Sequence, residues 1–302
     1  MYRRIWPFLI CLAACGWAIM SFDWRMVGVA FLRFDVGYFL LVGLPVGLMV
    51  FVVRSLRWAA VAGMPFTPGI LWQTHVQTAL AIATAAATPL QAGEALKLKF
   101  AHDTTGADYA SLGAAFAVER LADIAVVFGL GALGFVLRGS SGTSLLLATL
   151  MLVFGVAMAP LALRRLARAP LPARFREALA PLAHYRPTLA RMLILGVCTV
   201  AKWIGVVLLW QATFAAAGVS LGIGDCAVTV ALVTLTVTLS LVPGGIGVAE
   251  VSTRAILVWL GIEPGLADGA AVMLRLLMPL IIGIGLLHGI AWLFREKVEK
   301  HG

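Results

Sequence analysis

Three stretches of this chain place ionisable or backbone-bending residues where chemistry can be done. They are Thr88-Pro89-Leu90-Gln91-Ala92-Gly93-Glu94, Glu119-Arg120-Leu121-Ala122-Asp123, and Val242-Pro243-Gly244-Gly245-Ile246-Gly247-Val248-Ala249-Glu250. The first and third share a plan, a proline with glycine four residues later and a carboxylate just beyond. Proline ends one helix and suits the first turn of the next. Glycine lets the backbone turn and come close to a ligand. A helix starting there turns unpaired N–H groups and a positive dipole end toward an anion. Pro89, Gly93, Pro243, Gly244, Gly245 and Gly247 are therefore read as a cradle for a group such as a phosphate.

Charges within apolar stretches sharpen that reading, because each costs about 2.5–3.5 kcal/mol to insert at membrane depth. Glu119 and Asp123 lie one turn apart and repel. Arg120 can pair with Asp123, which leaves Glu119 to find another cation or hold a proton. Glu250 and Arg254 stand in the favourable Glu-first i,i+4 order and are expected to satisfy each other. Arg275 has no acidic neighbour in its own helix, so its expected partner is Glu119, Asp123, Glu250 or a lipid phosphate. Glu94 and Lys97 read as an interfacial i,i+3 pair, with Lys97 and Lys99 snorkelling to the surface. Lys202 is read the same way. His75 and His288 are read as packed or interfacial, and His102-Asp103 as solvated loop residues.

Enzyme signatures are missing. The chain contains no GxSxG, Walker A, HExxH or Asp-rich divalent-metal pattern. Its four cysteines have neither CxxC nor zinc spacing. No catalytic residue, metal ligand or cofactor is expected. Leu12-Ala13-Ala14-Cys15 resembles a lipoprotein processing site, but the apolar run continues through Ile19 and is read as a retained first helix.

The elements that must position these residues follow from composition. Of 302 residues, 62% are hydrophobic and only 12% charged, against about 45–50% and about 25% in soluble domains. Mean hydropathy is +1.00. An all-α polytopic membrane protein is expected, and a soluble domain or secreted disulfide scaffold is excluded. The net charge of +9 reports loops on the positive side of the membrane rather than nucleic-acid binding. Apolar runs at 5–21, 36–53, 70–88, 111–137, 144–163, 189–217, 226–242 and 267–293 predict about eight spans. Two shorter segments, 90–102 and 246–260, each follow a proline and read as re-entrant half-helix hairpins. Basic clusters at Arg3-Arg4, Arg54 with Arg57, Lys97 with Lys99, 164–191 and 295–300 then fall on one side, with both termini cytoplasmic.

The two proline segments also reveal an internal repeat. Each follows a Thr-containing apolar helix, and each precedes an arginine, Arg120 or Arg275, that lies 31 or 32 residues after its proline. The spans place the copies in opposite orientation, a pattern of transporters with a site near the midplane. One integral membrane domain, 1–302, is thus expected to hold a first repeat at 36–137, a basic cytoplasmic connection at 164–191 and an inverted second repeat at 189–293.

The order Pro89–Glu94, Glu119-Arg120-Leu-Ala-Asp123 and Pro243-Gly-Gly-Ile-Gly247-Val-Ala-Glu250, with Arg275 in the last helix, resembles the lysylphosphatidylglycerol synthase transmembrane-region family, also called flippase-like. The resemblance runs from about residue 35 to 295. It implies a lipid-translocating membrane domain. The basic residue that the family often carries between proline and glycine in the first motif is Gln91 here. The chain ends just after the last helix, so the soluble aminoacyltransferase of some members is not expected. The expectation is flipping of an anionic lipid or lipid-linked intermediate across the bacterial inner membrane. Pro89–Gly93 and Pro243–Gly247 would cradle its head group, with Glu94 at the first cradle. Arg120 and Arg275 would neutralise the phosphate, while Glu119, Asp123, Glu250 and Arg254 would exchange a proton or form ion pairs. Alternatives are an accessory subunit of an envelope-lipid synthesis complex and a lipid head-group transferase. Expected partners are anionic membrane lipids, a second copy or envelope-lipid synthesis proteins, and no nucleic acid.

Overall fold

A computed structural model describes residues 6–88, 93–139, 143, 146–150, 187–240 and 242–301, all of them in helices, turns and connections, without a strand. The chain begins with α1 (Trp6–Ser21) and α2 (Trp24–Arg33), bent by 86° where they meet. Asp23 makes the corner: its carboxylate accepts the amides of Arg25 and Met26 at 3.0 and 3.2 Å and so starts a new helix. This second helix and its bend were not anticipated from the apolar runs.

Next come α3 (Val36–Val61), α4 (Pro68–Ala87), α5 (Leu96–Thr105) and α6 (Tyr109–Arg138). The second half holds α7 (Leu189–Ala216), α8 (Ile223–Ser240), α9 (Val248–Trp259), α10 (Pro264–Met273) and α11 (Leu277–His301). Start signals are chemical: Asp35, Asp108, Thr188 and Glu263 cap α3, α6, α7 and α10 with side-chain oxygens, and Pro68 and Pro264 open their helices.

Among the described residues, five stretches are long and apolar enough to cross a membrane: Val36–Val61, Tyr109–Arg138, Leu189–Ala216, Ile223–Ser240 and Pro264–Ala291. The bent α1–α2 pair would make a sixth. The 26 residues of α3 reach about 39 Å, beyond the roughly 30 Å hydrocarbon core. α4 is not among the five, because Gln73, Thr74, His75, Gln77 and Thr78 make its first half polar. The expected 144–163 span and the basic connection lie almost wholly outside the described residues. The expected 90–102 segment is a turn at 93–95 followed by α5, so His102 and Asp103 belong to a helix and not to a loop. The last expected span divides into α10 and α11, joined by a 3₁₀ turn at Leu274–Leu276.

Three long pairings build the body: α3 on α7, α4 on α11 and α6 on α8. Small residues set the distances, as they do between helices in lipid. A Cβ on Gly134 of α6 would sit 2.8 Å from the carbonyl oxygen of Gly224 on α8. On α3, a Cβ at Gly47 would sit 2.8 Å from the side chain of Ile284 on α11. α2 lies against α10, and α1 against α9.

Candidate functional site

The densest polar feature is a buried ionic cluster drawn from four helices. α3 supplies Arg54 and Arg57, three residues apart and hence on one face. The turn before α5 supplies Glu94, and α5 itself Lys97. α6 supplies Glu119, Arg120 and Asp123, and α7 supplies Thr199, Lys202 and Trp203.

Arg57 is its centre and is fully buried. Its guanidinium donates to Glu119, to Asp123 Oδ1 at 2.6 Å and Oδ2 at 3.3 Å, and to the Thr199 hydroxyl at 3.4 Å. Asp123 also receives Lys202 Nζ at 2.6 Å and the indole N–H of Trp203 at 3.1 Å. Lys97 Nζ lies 2.6 Å from Glu94 and 3.4 Å from Glu119. Arg54 pairs with Glu94. Arg120 stands 3.2 Å from Glu119, 3.5 Å from Asp123 and 3.8 Å from Glu94.

Among the described residues, five cations thus meet three carboxylates, and two positive charges are left over. The excess faces outward: the side chains of Arg54 and Arg120 retain 18% and 32% exposure, whereas Arg57 and Lys97 retain none. The Nε atoms of Arg54, Arg57 and Arg120 are buried and donate to no described residue. Aromatic faces complete the walls, with Phe116 5.0 Å from the Arg120 guanidinium and Trp58 5.6 Å from Lys97 Nζ. Such a site can hold a compact anion by charge and by spare N–H groups.

The glycine-rich segment forms a separate site. Pro243–Gly245 is one 3₁₀ turn, and Gly244, Gly245 and Gly247 adopt φ of 62°, 63° and 78°, the left-handed region that suits glycine. Arg275 holds this turn. It pairs with Glu250 and donates to the carbonyls of Gly244 at 2.9 Å and Gly245 at 3.1 Å. α1 seats on the turn: a Cβ at Gly247 would lie 2.8 Å from the Cys15 amide nitrogen.

Several expectations therefore change. Glu250 and Arg254 do not pair with each other. The favourable spacing yields to partners across helices, and Arg254 takes Asp268 at 2.5 Å. Arg275 is engaged by Glu250 and two carbonyls. Lys202 and Lys97 do not snorkel; both are buried, on Asp123 and on Glu94 with Glu119. Arg57, read as a basic loop marker, lies inside the bundle.

Glu94, Glu119, Arg120 and Asp123 do come together, as do Gly244, Gly245, Glu250 and Arg275. No ion pair or hydrogen bond among the described residues joins the two groups into one site. Pro89 and Gln91 lie outside the described residues. Gly93 donates its N–H to Thr88 Oγ1 at 3.0 Å, and a Cβ there would run into the Thr84–Ala85 backbone.

Arg57 and Lys202 had a legible signal. Apolar Trp58–Val61 follows Arg57 within α3, and Lys202 stands mid-helix in α7, too far from either end to snorkel easily. Among the described residues no three His, Cys, Asp or Glu side chains are grouped to hold a metal ion.

No curated protein and no solved structure matches this chain. A family model does, over residues 4–285, a range that takes in the ionic cluster, the glycine turn and Arg275. The chain belongs to the family described as the lysylphosphatidylglycerol synthase transmembrane region.

Proposed function

We propose that this protein binds the anionic head group of a membrane lipid at the Arg54–Arg120 rim of the ionic cluster and carries it between leaflets. One observation carries the reading: five cations converge on three carboxylates, so two positive charges lack a described counter-ion. An uncompensated charge taken out of water is costly, and a lipid phosphate would supply the missing negative charge. Family membership supports a role in membrane lipid chemistry. In this reading the chain is an inner-membrane protein with about eight spans and both termini cytoplasmic.

The inverted-repeat architecture, with two re-entrant hairpins, belongs to the same proposal. Mapping α3, α4, α5 and α6 onto α7, α8, α9 and α10–α11 turns the α4–α11 pairing into α8–α6 and sends α3–α7 onto itself. That exchange is what a two-fold relation between halves requires, and it supports the reading. The glycine turn at Pro243–Gly247 then acts as a structural pivot tied by Arg275, and the phosphate is met at Arg54 and Arg120.

The test is leaflet exchange of fluorescent phosphatidylglycerol in proteoliposomes, with phosphatidylcholine as the uncharged-balance control. Wild-type protein should accelerate the anionic lipid, and the Arg54→Gln/Arg120→Gln double variant should lose most of that acceleration while staying folded. Equal rates with the variant and the wild type would remove the cluster from the mechanism. Binding of a lipid-synthesis partner without exchange would favour the accessory role, and an altered lipid product a head-group transferase.

A further inference from the structure

A second polar device lies away from the ionic cluster, where α3, α4 and α11 meet. His75 of α4 and His288 of α11 approach through their Nε2 atoms at 2.9 Å, with ring centroids 4.7 Å apart. The other nitrogen of each ring is also engaged. His288 Nδ1 is 2.7 Å from the carbonyl oxygen of Ile284, and His75 Nδ1 is 3.0 Å from Ser55 Oγ on α3. Ser55 Oγ has its own carbonyls at hand, Val52 at 2.7 Å and Phe51 at 3.1 Å. Both rings are half-buried, and Phe51 and Trp72 lie against them.

Donor and acceptor counting fixes where hydrogens can sit. A carbonyl only accepts, so His288 must carry its hydrogen on Nδ1. If neutral, its Nε2 is a bare acceptor, and His75 must donate from Nε2. Neutral His75 then has a bare Nδ1, which accepts the Ser55 hydroxyl hydrogen. One added proton is accommodated without moving an atom heavier than hydrogen. It sits on His75 Nδ1, which now donates to Ser55, and the serine hydroxyl swings to the Val52 or Phe51 carbonyl. A second proton has no place, because it would set two N–H groups and two cations face to face across 2.9 Å.

We propose that Ser55, His75 and His288 form a proton-binding site that takes up one proton beyond neutrality and refuses a second while α4 and α11 stay joined. The ligand is the proton itself. The helices that carry the rings supply no counter-charge, and the ionic cluster reached from α3 has an excess of cations among the described residues. α4 carries no other ionisable side chain, and α11 carries none besides His288 over 277–291. On α3, Arg54 and Arg57 are held by Glu94, Glu119 and Asp123. On α5, Lys97 is held by Glu94 and Glu119, Lys99 by Asp103, and His102 by the Ala107 carbonyl. The site does not depend on the lipid reading, and either can fail alone.

The experiment is solid-state NMR of the full-length protein in liposomes, ¹⁵N-labelled at histidine and titrated from about pH 9 to about pH 3. The expected result is a nitrogen–nitrogen correlation between two histidine rings and a gain of one proton, not two, by the correlated pair. His75→Gln and His288→Gln assign the pair by removing the correlation. Should either variant fail to fold, the wild-type correlation and proton count still decide. No inter-ring correlation, no proton taken up over the range, or both rings doubly protonated with the correlation intact would each overturn the proposal.

Discussion

Replacing Arg57 by methionine tests whether the ionic cluster is one coupled unit. The substitution keeps much of the side-chain volume but removes the guanidinium that donates to Glu119, Asp123 and Thr199. Removing one partner of a buried pair typically costs about 3–5 kcal/mol, since the other charge stays behind. Here the stranded carboxylates are not wholly abandoned. Asp123 retains Lys202 at 2.6 Å and the Trp203 indole, and Glu119 retains Lys97 at 3.4 Å and Arg120 at 3.2 Å. The expected loss is therefore at the lower end, about 3 kcal/mol.

Equilibrium unfolding in mixed detergent micelles measures it, with Lys99→Ala as the control. Lys99 and Asp103 are 3.8 Å apart with side chains 65% and 51% exposed, so that variant should change stability by less than about 1 kcal/mol. Adding Glu119→Gln to Arg57→Met should recover at least about 1 kcal/mol relative to additivity, because the two groups touch. A loss below about 1 kcal/mol for Arg57→Met, with strict additivity in the double variant, would refute the coupled-cluster reasoning.

Other perturbations probe the glycine turn and the helix caps. Arg275→Ala strands Glu250 and two carbonyls and should destabilise the fold by about 2–4 kcal/mol by the same unfolding assay. Gly247→Ala should undock α1, since the added carbon would meet Cys15 at its amide and sulfur, 2.8 and 2.9 Å away; faster alkylation of Cys15 reports it. The amides of Gly265 and Leu266, donating to Glu263 at 3.0 and 2.9 Å, hold its carboxyl below the usual range. A depressed carboxyl contributes stability that is full above the ordinary glutamate pKa and lost as pH falls through the lowered value. The protection of those two amides, their exchange measured against the intrinsic rate at each pH, should therefore fall at acid pH in the wild type, and should stay flat with pH in Glu263→Gln.

Much of the helical plan was legible because apolar length and capping chemistry are local. Asp35, Asp108 and Glu263 start helices by bonds to amides two or three residues on. The grouping of Glu119, Arg120 and Asp123 follows from helical spacing, as does the Glu94–Lys97 pair at 2.6 Å. What local spacing does not contain is which helices become neighbours. Arg57 finds Asp123 across 66 positions, and Lys202 finds it across 79. On a linear reading Arg57 looks like a charge that marks a loop, and Lys202 like one that snorkels to the surface. Glu250 and Arg254 mislead in the opposite way: their spacing is favourable, yet α10 and the Leu274–Leu276 turn bring Asp268 and Arg275 closer. The α1–α2 bend hides for a related reason, because Asp23, just past the apolar run at 5–21, gives little warning of an 86° corner.

That corner has a consequence for the order in which the molecule is made. The Asp23 amide donates to Asp268 across 245 positions, and α1 and α2 rest on α9 and α10. At roughly 5–20 residues per second, the ribosome needs about 12–50 s to reach those partners after releasing the corner. During that interval the first two helices lack the α9 and α10 surfaces on which they rest. α1 and α2 are thus a late-folding clasp: they are made long before their partners and can close only once α9 and α10 have followed.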